Sequence, residues 1–582
     1  MRKRVIIVGG VAGGASAAAR LRRLNEEMEI IMVEKGEYIS YANCGLPYYL
    51  GGVIRDRDRL FVQTPEGMKA RYNIQVRTGQ EVVKVNREKQ EVEIRPVNTE
   101  EPYRLGYDLL LLAPGALPVK PMIPGAEGNK VFTLRNVHDT DRIKNFISAF
   151  SHKSERAQEC PQKEIKPASA LVVGAGFIGL EMVENLHEAG LSVSLVEMAD
   201  WALPKNLDYE MAALLHQQLR AEGVSLYLST ALLRIEEDSN GTWGVLSNGL
   251  RIPADLVILA VGVVPDTSLA KEAGLEIGET GGIKVNEFFQ TSDPHIYAVG
   301  DAIEVENSIT GQPALLPLAG PANRQARLAA DAMAGRSVKY EGVIGTSVAK
   351  VFAMTAGSVG LTEEDLRRKK TPYFSSITHS SSNATYYPGS SPLTIKLNFA
   401  PDGKILGAQV VGYKGVDKRL DVLATTIKLG GKVNSLTELE LAYAPPYSSA
   451  KDPVNIAGYV AGNILSQDVE VYQWYDLPHR DRTNSILLDV RQGVERQAGF
   501  IADSWHIPLP ELRERISELP KDKEIIIYCQ VGLRAYIATR ILKQNGFKVK
   551  NLSGGYRTWQ VVAEEQNHCR PGQSNQLANE SL

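Results

Sequence analysis

The chain has 582 residues, 43% of them hydrophobic and 23% charged, and a net charge of -3 from 65 basic and 68 acidic side chains. Such a length exceeds one hydrophobic core and calls for three or four domains, in a composition that is globular rather than disordered. No global basic field points to nucleic acid, and no uninterrupted apolar run of about 20 residues predicts a membrane span.

The N-terminus has the outline of a signal peptide, a basic Met1 to Arg4 and then an Ala-rich run, but glycines interrupt the run and it ends in the basic segment Arg20 to Arg23. Residues 4–34 instead read as a βαβ unit: a buried strand Arg4 to Val8, a glycine turn, a helix, and a strand Glu29 to Val33 ending at Glu34. Gly9 and Gly14 hold the outer turn positions, with Val11 in the middle. Cys44 follows in SYANCGLPYYL at 40–50, at the end of a nucleotide fold and away from the apolar core. With no second cysteine within a few residues, Cys44 either pairs with a substrate sulfur or cycles through a sulfenic acid.

A strand and glycine turn, YDLLLLAPG at 107–115, closes this first unit, and ADLVILAVG at 254–262 repeats the design around Gly262. The polar segment 151–168, which carries Cys160, is expected to loop out. A second βαβ unit then runs from Ala170 through GAGFIG to Ser192–Val196 and Glu197. Gly174, Gly176 and Gly179 let the backbone approach a pyrophosphate at a helix N-terminus, and Glu197 accepts ribose hydroxyls. A carboxylate there repels a 2′-phosphate, so NADH is expected rather than NADPH.

From about 340 to 460, short strands such as Pro392 to Phe399 and Leu406 to Val411 precede helical periodicity, as in an α+β domain. A linker is expected at 463–482, then a last α/β unit with strands Ser485 to Leu488 and Glu524 to Tyr528. In IIIYCQVGLRA at 525–535, Cys529 ends a buried strand and Arg534 follows five residues later, a loop that can aim amides at a sulfur anion. The tail 565–582 is polar and expected to be disordered. The four cysteines, Cys44, Cys160, Cys529 and Cys569, suit neither a disulfide framework nor a metal site, so no metal is expected and the compartment is expected to be the reducing cytoplasm.

Residues 1 to about 460 resemble coenzyme A disulfide reductases through VGGVAGGASAAARLRR at 8–23, YANCGLPYY at 41–49, PANRQ at 321–325, YYPG at 386–389 and YAPPYSSAKD at 443–452. Residues 480 to about 560 resemble a rhodanese through LLDVR at 487–491, the Cys529 loop and the glycines Gly554 and Gly555. The combination resembles the fused reductase–rhodanese group that includes NADH-dependent persulfide reductases. The resemblance implies an FAD-binding domain at 1–120 and 270–335, an NADH-binding domain at 121–269, a dimerisation domain at 336–462 and a rhodanese domain at 483–564. It implies that Cys44 forms a mixed disulfide with coenzyme A, and that Asp301, in TSDPHIYAVGD at 291–301, holds the flavin ribityl chain. It also implies coenzyme A contacts from Ser16, Arg20, Arg23, Ser40, Asn43, Asn323 and Lys451, although Arg20 to Arg23 can also be read as a solvated helix face. In a homodimer, Tyr386 and Tyr443, with Tyr387 and Tyr447 as alternatives, would reach the partner's cysteine. The activity implied is NADH-dependent reduction of a coenzyme A persulfide or disulfide with sulfur transfer at Cys529. An NADH oxidase, or a sulfur-carrying or redox-sensing module, is the alternative.

Overall fold

The computed structural model describes residues 2–97, 101–158 and 168–569. These form two compact units, Met1–Val196 with Ala231–Val343, and Glu197–Thr230 with the chain from Ile344 onward.

The first unit contains two parallel sheets built by the same rule. One has the strand order Ile296–Ala298, Leu109–Leu112, Arg4–Val8, Glu29–Glu34, Gln75–Thr78, all parallel. The chain winds outward in both directions from Arg4–Val8, so a crevice opens at the strand ends where the winding reverses, beside Gly9 and Ala113. In the other sheet, Ser169–Val173 is flanked by Ser192–Val196 and Leu256–Leu259, with Val131–Phe132 beyond. Its strands are apolar and buried, as parallel strands covered on both faces must be.

In the second unit an antiparallel sheet runs in the order Ser347–Val351, Met354–Gly360, Ile405–Gly412, Pro392–Phe399, Phe374–Ser381. Helices Val416–Lys428 and Pro453–Leu465 belong to the same unit. A parallel sheet follows, ordered Val471–Tyr472, Lys548–Leu552, Glu524–Tyr528, Ser485–Asp489, Ser504–His506.

Three expectations need correction. Residues 151–158 do not loop out but continue the helix Val137–Gln158; Cys160 lies outside the described residues. The stretch 463–482 is no free linker. Val471–Tyr472 adds a strand to the last parallel sheet, Gln473 Nε2 donates to the Ser375 carbonyl at 3.0 Å, and Tyr475 Oη donates to Glu363 Oε1 at 2.6 Å. The tail begins later than 565, because the helix Gly555–Cys569 runs through it and buries Glu565 against His216 and Arg220 of the helix Tyr209–Ala221. In the last two cases polar composition misled, since Gln473, Tyr475 and Glu565 are satisfied by partners distant in sequence.

Candidate active sites

Both nucleotide turns are closed by the same backbone contact. A side chain at Gly14 would collide with the Gly9 carbonyl, and one at Gly179 with the Gly174 carbonyl. Gly9 and Gly174 take φ of 96° and 102° and press against the carbonyls of Ala113 and Ala260. Only glycine meets both demands. The middle position is different: Val11 has φ -95° and Gly176 φ -78°, so neither needs the left-handed backbone that favours glycine. That is why Val11 does not break the first turn. A Cβ at Gly176 or Gly262 would meet nothing within 4 Å, leaving room for a dinucleotide.

Glu34 accepts the N–H groups of Gly10 and Gly36 at 2.7 Å each, which pins the carboxylate at the mouth of the first turn. Glu197 likewise accepts the Ala199 N–H at 2.8 Å. Asp301 makes no protein hydrogen bond among the described residues, and burial pushes its carboxyl up despite the opposing charge of Arg135. An acceptor held in place and left without a protein donor suits a polyhydroxyl chain. With the glycine-lined crevice and Glu34, these residues fit an FAD.

Cys44 lies on the short 3-10 turn Asn43–Gly45 and is exposed. Protein packed around one side of the thiol desolvates it, and this, then Glu181, then Asp301 raise its pKa. The Glu181 carboxyl is itself pushed up to about 7 by burial and by Glu184. It is therefore charged in the range where the thiol titrates, and it opposes thiolate formation. Glu181→Gln is expected to lower the Cys44 pKa, moving the pH midpoint of alkylation by neutral iodoacetamide downward. A midpoint unmoved or shifted upward would show that the two groups are not coupled.

Around the first turn, Ser16 Oγ and Asn323 Oδ1 meet at 2.5 Å, bringing two expected contacts together across the helices Ala12–Leu24 and Ala319–Met333. One turn on, Arg20 donates to Asp331 Oδ1 at 2.6 and 3.0 Å. Arg20 is thus a paired cation. The Arg23 guanidinium lies 6.0 Å from the centroid of the Tyr72 ring. Arg22 is buried and donates to the carbonyls of Tyr72, Glu26 and Met28, whereas Arg23 is exposed, so the segment is only in part a solvated face. Ser40 holds φ 45° and is fixed by its N–H to the Gly10 carbonyl at 2.8 Å. Asn43 is exposed beside Cys44, and Lys451 is exposed in the second unit.

In that second unit, the hydroxyls of Tyr386 and Tyr443 hydrogen-bond at 2.9 Å while both rings stay exposed. Tyr387 and Tyr447 are exposed too. Arg419, fully buried, stitches the two tyrosine loops together by donating to the Ser382 carbonyl at 2.8 Å, Ser448 Oγ at 3.2 Å and Asp452 Oδ2 at 2.9 Å.

Cys529 is buried, and its Sγ accepts the Gly532 N–H at 3.1 Å. Gly532 has φ 114° and starts the helix Leu533–Gln544, whose N-terminus therefore points its dipole at the loop. Arg534 is held by a two-point pair with Glu495, 2.6 Å at each oxygen, which keeps the Glu495 carboxyl down to about 2. The Asp489–Arg491 pair is buried, and Arg491 reaches Gln530 Oε1 at 3.4 Å and stacks 4.0 Å from the Tyr556 ring centroid. The N–H groups of Tyr556 and Arg557 then clamp the carbonyls of Cys529 and Gln530 at 2.8 and 3.0 Å.

Sequence reasoning missed Glu181, Arg135 and Gln325, whose Oε1 accepts the Gly300 N–H at 2.8 Å. Glu181 carried a readable signal. An acid two residues beyond Gly179, one turn inside a helix whose N-terminus should face phosphate, would repel that phosphate.

The chain itself matches known proteins. Residues 3–326 match the family model for pyridine nucleotide-disulphide oxidoreductases, and 346–453 match that family's dimerisation domain. The chain belongs to this family of FAD- and NAD(H)-dependent oxidoreductases. Residues 473–561 match the rhodanese-like domain, so the expected α/β fold of two nucleotide-binding domains, a dimerisation domain and a C-terminal rhodanese domain is borne out. A coenzyme A disulfide reductase of Staphylococcus epidermidis is 36% identical over 460 residues, covering 79% of this chain and 99% of the relative. The crystal structure of reduced Bacillus anthracis CoADR-RHD is 50% identical with a TM-score of 0.92, covering 97% of this chain and 99% of that one. The NAD-dependent persulfide reductase from A. fulgidus is 38% identical with a TM-score of 0.86, covering 96% and 100%. Among the described residues no helix is long and apolar enough to cross a membrane, and no group of three or more His, Cys, Asp or Glu could hold a metal ion.

Proposed function

We propose that this chain is an NADH-dependent flavoprotein that reduces the sulfur–sulfur bond of coenzyme A persulfide or coenzyme A disulfide, as a cytoplasmic homodimer, with a fused rhodanese that handles sulfane sulfur. The observation that carries the reading is Cys44, a lone exposed thiol on a turn next to the nucleotide crevice. FAD and NADH, when bound, supply two electrons as a hydride equivalent.

Gly9, Gly14, Glu34 and Asp301 would hold the first nucleotide, and Gly174, Gly176, Gly179, Glu197 and Gly262 the second. Ser16, Arg20, Arg23, Ser40, Asn43, Asn323 and Lys451 would hold coenzyme A. The Cys44 thiolate attacks the coenzyme A sulfur of the substrate, a new bond forms between them, and the outer sulfur leaves as hydrosulfide or thiolate. Tyr386 and Tyr443 of the partner subunit would donate the hydrogen bond that stabilises the departing anion. Two electrons then return the mixed disulfide to the Cys44 thiolate and free coenzyme A. We further propose domain boundaries near 120, 270, 336 and 463, with the segment 463–482 joined to the rhodanese.

The test is NADH oxidation with coenzyme A persulfide, coenzyme A disulfide, polysulfide and oxygen in separate reactions, each repeated with NADPH. The coenzyme A substrates should turn over fastest, and NADPH should be the poorer donor by at least about tenfold because Glu197 repels the 2′-phosphate. Oxygen as the fastest acceptor, with one NADH consumed per half O2, would assign an oxidase instead.

A further inference from the structure

A cavity of about 440 Å³ in the second unit is walled by the helix Tyr209–Ala221, the antiparallel sheet, the helix Gly555–Cys569 and the loop that carries Cys529. The two residues that follow Cys529, Gln530 and Val531, form part of its lining. That volume is in the range of small-molecule sites, and a bare oxyanion such as thiosulfate would leave most of it empty. Its polar equipment is unusual: the amides of Gln217, Gln218, Gln530 and Gln560, and the guanidinium of Arg557.

Arg557 is half-buried, and its side chain has no hydrogen bond or ion pair among the described residues. Burial lowers its pKa, with only Tyr413 acting the other way. His379 is held neutral beside it, because burial and then Arg557 itself push its pKa down to about 3. Glu564 is the only carboxylate in the lining, and it accepts from the amides of Gln217 at 2.7 Å and Gln560 at 2.8 Å. A cation removed from water without a counter-ion costs stability, which is recovered when the anion comes with a ligand.

We propose that this cavity seats an anionic, amide-bearing thiol as the sulfur acceptor of Cys529, with Arg557 binding the anion and the glutamines the amides. The inference rests on the sulfurtransferase reading of the rhodanese domain. Coenzyme A, through its phosphates and pantetheine arm, and a glutathione-like peptide thiol share this chemistry. An inorganic polysulfide loads Cys529 by giving up one sulfur atom, leaving the chain shortened by one. The acceptor thiolate then attacks the outer sulfur of the Cys529 persulfide. A sulfur–sulfur bond forms on the acceptor, the one to Cys529 breaks, and Cys529 leaves as a thiolate with no net change in electrons.

The experiment uses the full chain with polysulfide as donor and coenzyme A, glutathione or uncharged dithiothreitol as acceptor. Arg557→Gln should raise the half-saturating concentration of one anionic thiol by about tenfold or more, with the maximal rate changed less than about twofold. Dithiothreitol transfer and NADH-driven coenzyme A disulfide reduction should be unchanged, and Arg557→Lys should retain most of the affinity. An effect confined to coenzyme A names it as the acceptor, and one confined to glutathione names a peptide thiol. Because Arg557 has no partner to lose, the melting temperature of Arg557→Gln should stay level or rise. Unchanged saturation by both anionic thiols overturns the proposal, as does an equal loss with all three acceptors together with a lowered melting temperature. If the wild-type chain passes no sulfur even to dithiothreitol, the sulfurtransferase reading falls and this one with it.

Discussion

Cys44→Ser is expected to lower NADH-driven reduction of coenzyme A persulfide and disulfide by about three orders of magnitude or more, with FAD still bound. A serine hydroxyl is not ionised at neutral pH and forms no bond to sulfur that two electrons could later cleave. Among the described side chains of the first unit, no second free thiol is present. Among the described side chains the other free cysteine is Cys529, which is buried in a loop of the second unit. The nucleotide crevice is built from Gly9, Gly14 and Glu34, none of which depends on the Cys44 side chain, so the flavin spectrum and its bleaching by NADH should persist. Stopped-flow traces should then show bleaching without recovery when coenzyme A persulfide is added. Turnover above about a tenth of wild type would remove Cys44 from the mechanism.

The second large effect is on stability. Lys396→Met is expected to cost about 3–5 kcal/mol, because it strands buried carboxylates that share one cation. Lys396 Nζ lies 2.8 Å from Asp208, 2.5 Å from Glu210 and 2.6 Å from Glu363, all buried. Glu363 also accepts from Tyr373, Tyr475 and Arg367. Burial pushes its carboxyl up, but Lys396 and these donors overcome that and hold it at about 2, against an ordinary 4.5. The Glu210 carboxyl goes the other way, raised by burial. A depressed acid contributes its stability in full above its unfolded pKa and loses it as the pH falls towards the folded one. In wild type the Glu363 contribution should therefore fade between pH 4.5 and 2. In Lys396→Met protonation relieves the stranded charge, so the deficit measured by urea unfolding should shrink with falling pH. A deficit under about 1 kcal/mol at pH 7, or one that grows on acidification, would contradict this account.

The nucleotide folds were legible because their information is local. Gly9 with Gly14, and Gly174 with Gly179, lie within one turn each, and the strands Arg4–Val8, Ser192–Val196 and Glu524–Tyr528 announce themselves as apolar runs. The catalytic cysteine candidates were legible by resemblance and by position at strand and turn ends. The Lys396 cluster was not, because its members at 208, 210, 363 and 396 read singly as surface charges and meet only in the folded unit. Arg22 failed for the same reason: within a basic run nothing distinguishes the one arginine that turns inward to cap carbonyls. Arg557 was hidden behind the glycine turn that identified the rhodanese.

The docking of the rhodanese sheet changes how sulfur must travel. The Ile377 N–H donates to Ser553 Oγ at 3.1 Å, His379 Nε2 meets Thr558 Oγ1 at 2.8 Å, and the last helix ends on His216 and Arg220. A sulfurtransferase swinging on a tether would carry its persulfide through a search volume, and its reach would depend on tether length. Cys529 is instead anchored within its unit, so under the proposed function the element that moves through that unit would be the small thiol. On that proposal, flux between the two chemistries would behave as diffusion of a carrier, rising with its concentration until the proposed site saturates and slowing with solvent viscosity.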